Sequence, residues 1–304
     1  VKIIFYGGLP AHSADALDWG ELCGTQHTYS YFLRKELAKR GIQSDMFGFS
    51  TLDKKPDKIP EGDHLISVSQ RGITNATTRI PDARKRVEAK IKGKITSICD
   101  FYWDGHVEED MIFFARPHKD TEKHKYVGWA ACPKMLHPDK KANEIRILID
   151  HTLYVDTSED SSSSVISQCM RFKENFGLPV TVRRFISGGV ETVITDNQIP
   201  TIYTRKGLPF PEACEEYNKA NIFITTHAES MGLSVLESAM ADTLVVTKKG
   251  YIGMDLLHDL NYVEHEGEID WNEVIRKAVP GMSRVRAIKY NWVSVVDKIL
   301  EHLK

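Results

Sequence analysis

Ala220-Asn-Ile-Phe-Ile-Thr-Thr-His-Ala-Glu-Ser-Met-Gly-Leu-Ser-Val-Leu-Glu-Ser-Ala-Met-Ala-Asp-Thr-Leu-Val-Val-Thr247 organises the reading of the whole chain. Ile222, Phe223 and Ile224 form the short apolar run that a buried parallel strand needs. Thr225 to Gly232 reads as a loop, in which Gly232 lets the backbone turn or approach a ligand closely. From Leu233 the apolar residues Val235, Leu236, Ala239 and Met240 recur at helical spacing, and Leu244 to Val246 is a second strand. The stretch is strand, loop, helix, strand. Glu229 falls in the loop and Glu237 one turn inside the helix. A helix entrance offers unpaired N–H groups and the positive end of the helix dipole, which suit a phosphate. Carboxylates beside it accept hydrogen bonds from the hydroxyls of a ribose or hexose. A plainer alternative has Glu229 capping the helix and Glu237 solvated on its surface; spacing alone leaves both open.

Glu229-Ser-Met-Gly-Leu-Ser-Val-Leu-Glu237-Ser-Ala-Met-Ala-Asp242 resembles the nucleotide-sugar motif of the GT-B glycosyltransferases, specifically the large retaining family 4. That family's pattern runs roughly E-G-F-G-L-x-x-L-E-A-M-A-x-G. Upstream, Phe210-Pro-Glu-Ala-Cys-Glu-Glu-Tyr-Asn-Lys-Ala-Asn-Ile-Phe-Ile224 is similar to the family's approach to the same strand. The resemblance covers about residues 200–250. It implies two Rossmann-like α/β domains facing across a cleft, with a C-terminal helix returning to the first. Residues 1–140 are then the acceptor domain and 141–304 the donor domain. It further implies that Glu229 binds the donor-sugar hydroxyls and Glu237 the ribose. Ser230, Met231, Gly232 and Leu233 would present N–H groups to the donor.

The composition is that of a folded globular protein. A chain of 304 residues, 41% hydrophobic and 27% charged, suits two ordinary globular domains. A net charge of −2 argues against bulk attraction to nucleic acid or anionic membrane, though it leaves room for a local basic face. No apolar run reaches bilayer length, and no signal peptide is expected at Val1. Cys23, Cys99, Cys132, Cys169 and Cys214 are scattered without zinc spacing, which suits free thiols and a cytoplasmic location, the host cytoplasm if the source is viral.

Along the first half, Lys2–Tyr6, Ile42–Phe49, His64–Ser69, Ile95–Asp100 and Met111–Ala115 read as strands, with helices at Thr25–Arg40 and Pro81–Lys92. Gly7-Gly8 closes the first strand without the G-x-G-x-x-G fingerprint, so no nicotinamide or flavin is expected. By the resemblance, Gly7, Gly8, Gly24 and Thr25 are candidates to approach the donor or acceptor; a tight turn is the alternative for the glycines. Tyr126–Pro133 resembles the last strand and exit of the first domain, and His137–Glu144 is polar, as a hinge would be. In the second half the expected strands are Ile145–Ile149, Val180–Phe185, Ile199–Tyr203 and Tyr262-Val263. Ser158–Ser164 reads as a serine-rich loop before a helix Val165–Phe176, and helices follow at Trp271–Ala278 and Asn291–Leu303.

The chain departs from the family after the second domain's first strand. Asp150 and His151 stand where a Gly-Arg pair is usual, and no lysine precedes the helix Val165–Phe176. Arg183, Arg184, Arg205 and Lys206 are the candidate diphosphate cations, with ordinary solvated charge as the alternative. Asp100 and His106 are acid/base candidates on the acceptor side, against a turn or cap role for Asp100; His12 and His27 read as surface or packing residues. Arg84, Lys85, Arg86, Lys90, Lys92 and Lys94, followed by Phe101, Tyr102 and Trp103, could hold a nucleic-acid strand, although a solvated helix before core aromatics accounts for them too. No D-x-D motif is present, so neither metal nor cofactor is expected beyond the nucleotide-sugar co-substrate.

The expectation is therefore a metal-independent, retaining glycosyltransferase taking a UDP-type sugar to an unknown acceptor: a glycan, a small molecule or a modified DNA base. Three other readings stay open. They are a viral-type hydroxymethylpyrimidine-DNA glycosyltransferase, a UDP-sugar 2-epimerase, and a catalytically silent nucleotide-sugar binding module.

Overall fold

The computed structural model describes residues 1–7, 25–68, 72–99, 107–115, 120–128, 130–139, 144–152, 159–187, 201–203, 210–226, 228, 232–252 and 257–304. For 25–27, 151–152, 159–163, 184–187 and 201–203 it describes the backbone alone. The chain divides into two units, Val1–Ala130 with Trp292–Lys304, and Ala131–Asn291.

The first unit runs β1 (Lys2–Tyr6), α1 (Thr25–Lys39), β2 (Gln43–Phe47), α2 (Phe49–Lys54), β3 (His64–Ser67), α3 (Gly72–Thr77), α4 (Ala83–Glu88), β4 (Ile95–Cys99), β5 (Met111–Phe114) and β6 (His124–Tyr126). Its sheet is parallel, in the order β2-β1-β3-β4-β5-β6. β4 and β5 are buried at every position, which is why they read as unbroken apolar or small-residue runs. Ile4, Leu65 and Ile95 pack with Ile73, Ala83 and Val87 from the short helices.

The second unit runs β7 (Ile145–Thr152), α5 (Glu159–Asn175), β8 (Val180–Ser187), β9 (Thr201–Tyr203), α6 (Phe210–Lys219), β10 (Ile222–Thr225), α7 (Leu233–Met240), β11 (Leu244–Lys248), β12 (Tyr262–His265), α8 (Trp271–Lys277) and α9 (Met282–Ala287). The parallel order is β12-β11-β10-β7-β8-β9. The chain starts at β7, steps outward through β8 and β9, then returns to the other side of β7 as β10. That reversal is a topological switch point, the position where open α/β sheets bind ligands beyond their strand ends. Ile147, Ile149, Ile222, Ile224, Leu244 and Val246 face α5 and α8 in one core, together with Val165, Cys169, Phe172 and Val274. Phe223 faces the other way, with its ring edge-on to Tyr217 of α6 at 5.7 Å.

The last helix, α10 (Trp292–Leu303), belongs to the first unit. Trp292, Val295, Val296, Ile299 and Leu303 make one buried stripe along it. Trp292 stacks on Phe32 at 5.3 Å and meets Tyr29 edge-on at 4.7 Å, and Arg40 of α1 pairs with Asp297 at 2.8 Å.

Two elements differ from the sequence expectation. The helix expected over Pro81–Lys92 stops at Glu88, because Gly62 N–H donates to the Lys90 carbonyl and Lys92 N–H to the Gly62 carbonyl, both at 3.1 Å. The serine-rich stretch is not a loop: α5 begins at Glu159, and serine is only mildly unfavourable in a helix. The chain leaves the first unit at Ala130, ahead of the polar stretch His137–Glu144. Residues 135–139 are already fastened to α6, where Asn218 Oδ1 accepts from His137 N–H at 2.8 Å, Nδ2 donates to the Met135 carbonyl at 2.8 Å, and the Asn218 carbonyl accepts from Asp139 N–H at 2.7 Å. Among the described residues Cys99, Cys132, Cys169 and Cys214 are free thiols.

Candidate functional site

At the switch point β10 ends at Thr225, opposite Asp150 of β7, which runs on to Thr152. Thr226 Oγ1 donates to the Asp150 carbonyl at 2.8 Å, and the Thr225 and Thr247 hydroxyls lie 3.0 Å apart. These buried hydroxyls fix the ends of three neighbouring strands, and α7 starts from there. Gly232, at its N-cap, has φ +65° and ψ +33°, left-handed values that a side chain would strain. Its carbonyl accepts from Leu236 N–H at 3.0 Å, closing the first turn. The leading N–H groups of such a helix have no partner within it and carry the positive end of its dipole.

Glu237 sits one turn in and is only 6% exposed. It is not a solvated surface residue. Side chains on a helix lean toward its N-terminus, so this carboxylate leans back toward the entrance. Burial first, and then the nearby Glu237 charge, push the Cys214 thiol of α6 far above its ordinary range.

α7 is braced from its far end. Asp242 has φ +65°, a left-handed value that aspartate tolerates better than most residues, and it stands where the family pattern has its last glycine. Its carboxylate accepts from Gly281 N–H at 2.7 Å and Arg284 N–H at 3.2 Å, capping α9. Arg284 in turn donates to the carbonyls of Met240 at 2.5 Å, Pro133 at 3.0 Å and Leu136. A cation on the closing carbonyls of α7 complements its dipole.

No protein-family model matches the chain, and no curated protein matches it in sequence. Solved structures do match. A sucrose-phosphate synthase from Thermosynechococcus elongatus superposes with a TM-score of 0.65 over 99% of this chain and 98% of its own, at 11% identity. The Anabaena protein HepE, determined with UDP and glucose, gives 0.63 over 99% of both chains at 12% identity. A putative UDP-N-acetylglucosamine 2-epimerase from Listeria monocytogenes gives 0.61 over 98% of this chain and 94% of its own, at 9% identity. The fold is GT-B.

Against the GT-B fold, the expected residues distribute unevenly. Gly232, Leu233 and Glu237 come together at the start of α7, as just described. Glu229, Ser230, Met231, Arg205, Lys206, Asp100, His106, Gly8 and Gly24 lie outside the described residues, as does the side chain of Arg184. Gly7 is spaced for packing: a Cβ there would come within 2.5 Å of Val68 Cγ2 on the neighbouring strand's exit. Arg183 pairs with Glu216 of α6 at 2.9 Å, beside Glu144, Arg146 and Lys219 around a cavity of about 420 Å³ at the opposite, N-terminal end of the strands. It is committed away from the switch point.

In the first unit half of the basic cluster is matched by carboxylates. Arg84 pairs with Glu88 at 2.8 Å and Asp110 at 2.7 Å, Arg86 with Asp82 at 3.0 Å, and Lys90 with Glu61 at 3.4 Å. Lys94 donates to the His302 carbonyl. Sequence reasoning missed Glu109, which is 1% exposed and accepts from Ile73 N–H at 2.9 Å and from the Thr74 hydroxyl at 2.5 Å. The start of α3 is thus filled by the chain's own carboxylate. Among the described residues no group of three or more His, Cys, Asp or Glu is placed to hold a metal ion.

Proposed function

We propose that this chain is a glycosyltransferase of the retaining family-4 type, moving a sugar from a nucleotide diphosphate, of UDP type, to an acceptor hydroxyl. The observation that carries the proposal is Glu237, a buried carboxylate one turn inside a helix that starts at the switch point behind a left-handed glycine. HepE, which shares the fold, was determined with UDP and glucose. Glu237 accepts hydrogen bonds from the ribose hydroxyls, and Glu229, eight residues earlier, from the donor sugar.

When the bond between the anomeric carbon and the diphosphate breaks, negative charge grows on the leaving phosphate. The N–H groups of Ser230 to Leu233 and the start of α7 meet that charge, and they gain strength as it develops. Arg184, Arg205 and Lys206 supply the cations for the diphosphate, with no metal. On the acceptor side, Asp100 and His106 are the groups to handle the acceptor proton.

Incubation with radiolabelled UDP-glucose in buffer tests the reading. Slow release of free glucose and UDP, with no interconverted UDP-sugar, is the expected result. Accumulation of a 2-epimer from UDP-N-acetylglucosamine would reassign the chain to epimerase chemistry, and tight binding without turnover would make it a binding module.

A further inference from the structure

From Arg276 to Lys289 the chain carries five cations, Arg276, Lys277, Arg284, Arg286 and Lys289, and no carboxylate. Along the same stretch Val279, Met282, Val285 and Ile288 are 49%, 40%, 68% and 46% exposed. Among the described residues they are four of the eight large hydrophobic side chains left exposed, gathered within ten positions. Their spacing of three keeps Met282, Val285 and Ile288 on one side of α9. The other side is packed: Ser283 and Ala287 are buried, Asn261 donates to the Ser283 hydroxyl at 3.3 Å, and Asp242 caps the helix. The outward apolar groups therefore add nothing to the core of the second unit.

The cations sort in the same way. Arg284 turns inward onto the carbonyls that close α7. Arg286 is exposed and donates to the Leu260 carbonyl at 3.2 Å. Lys289 shares Asp259 at 2.9 Å, while Arg276 and Lys277 share Glu273 at 3.7 and 3.0 Å. Arg286 and Lys289 thus lie exposed beside the apolar groups and Arg276 is exposed on α8, while Lys277 is half-buried and donates to the Tyr262 carbonyl at 3.0 Å, in a protein whose net charge is −2.

We propose that this face docks on an anionic lipid bilayer surface. Interleaved aliphatic and basic side chains suit that partner: the former enter between headgroups while the latter stay at phosphate level. A second copy of the chain fits less well, because a two-fold contact through this patch would bring like cations together. Among the described residues no helix is long and apolar enough to cross a membrane, so the contact is with the surface. Each cation freed to meet anionic lipid is worth about fivefold in partitioning, and salt screens it.

Co-sedimentation of the full chain with vesicles tests this, comparing pure phosphatidylcholine with a mixture containing about one-third phosphatidylserine, the anionic composition such patches read. Expected is binding to the mixed vesicles alone, falling about tenfold or more when salt rises from low to high ionic strength. The variants Arg286→Gln/Lys289→Gln and Val285→Ser/Ile288→Ser, both outward-facing, should each bind at least fivefold more weakly with unchanged thermal melting. No sedimentation with phosphatidylserine at low salt would overturn the proposal, as would equal binding to both vesicle types or indifference to both double variants. Sedimentation as a dimer that Val285→Ser/Ile288→Ser makes monomeric would also overturn it, and would assign the face to self-association.

Discussion

Gly7 shows how a residue chosen for a ligand in the sequence can be required by packing in the fold. Its missing Cβ leaves room for Val68, so Gly7→Ala should destabilise the first unit by about 1–3 kcal/mol, the usual range for overpacking. Adding Val68→Ala should recover most of that loss in urea titrations; an additive pair would mean the contact is not the cause. His265, 7% exposed at the end of β12, gives a pH signature. Burial, and then Lys248, hold its pKa below the ordinary 6.5, so the unfolded chain binds a proton that the folded one refuses. That contribution is intact above pH 6.5 and is lost as pH falls through the window below it. Wild type should lose more stability than His265→Gln between pH 7.5 and 5.5, read from urea midpoints; equal losses would contradict it. At this scale the sequence offered a spacing, Glu229 to Glu237, but no sign that Glu237 would be buried. Asp242 was silent, because its partners Gly281 and Arg284 lie about forty residues on and nothing local marks a cap at that distance.

Among the elements, strands were legible and short helices were not. β10 and β11 are buried on both faces, so they appear as apolar runs that no surface alternation interrupts. α2, α3 and α9 have six residues each, too few for a helical period to show. Charged residues with good helix propensity made the helix at Pro81 read too long, until the pairing of Gly62 with residues 90–92 ended it. α10 was legible from its apolar stripe, and its docking carries a clear consequence. Trp292→Ala removes a ring held between Phe32 and Tyr29 and should cost about 3–5 kcal/mol, read as a lower melting temperature. Hydrogen exchange should quicken in α1 and leave β7, β10 and β11 protected; uniform loss across both units would contradict that assignment. Asp242→Ala should act in the second unit instead, costing on the order of 2 kcal/mol through the lost α9 cap.

At the scale of the molecule, two parallel α/β units have sequences with no visible repeat, yet each ends its strands at an edge suited to a ligand. They differ in what lies there. The start of α3 in the first unit is filled by Glu109, whereas α7 in the second follows the left-handed Gly232 and carries Glu237 one turn inside. The proposed function therefore puts the nucleotide in the second unit. Calorimetric titration of UDP into wild type and Glu237→Gln, a near-isosteric change checked by an unchanged melting temperature, tests this most directly. Loss of a charge-assisted hydrogen bond predicts binding about tenfold or more weaker in the variant. Equal affinity in the two proteins, or no UDP binding by wild type, would contradict it.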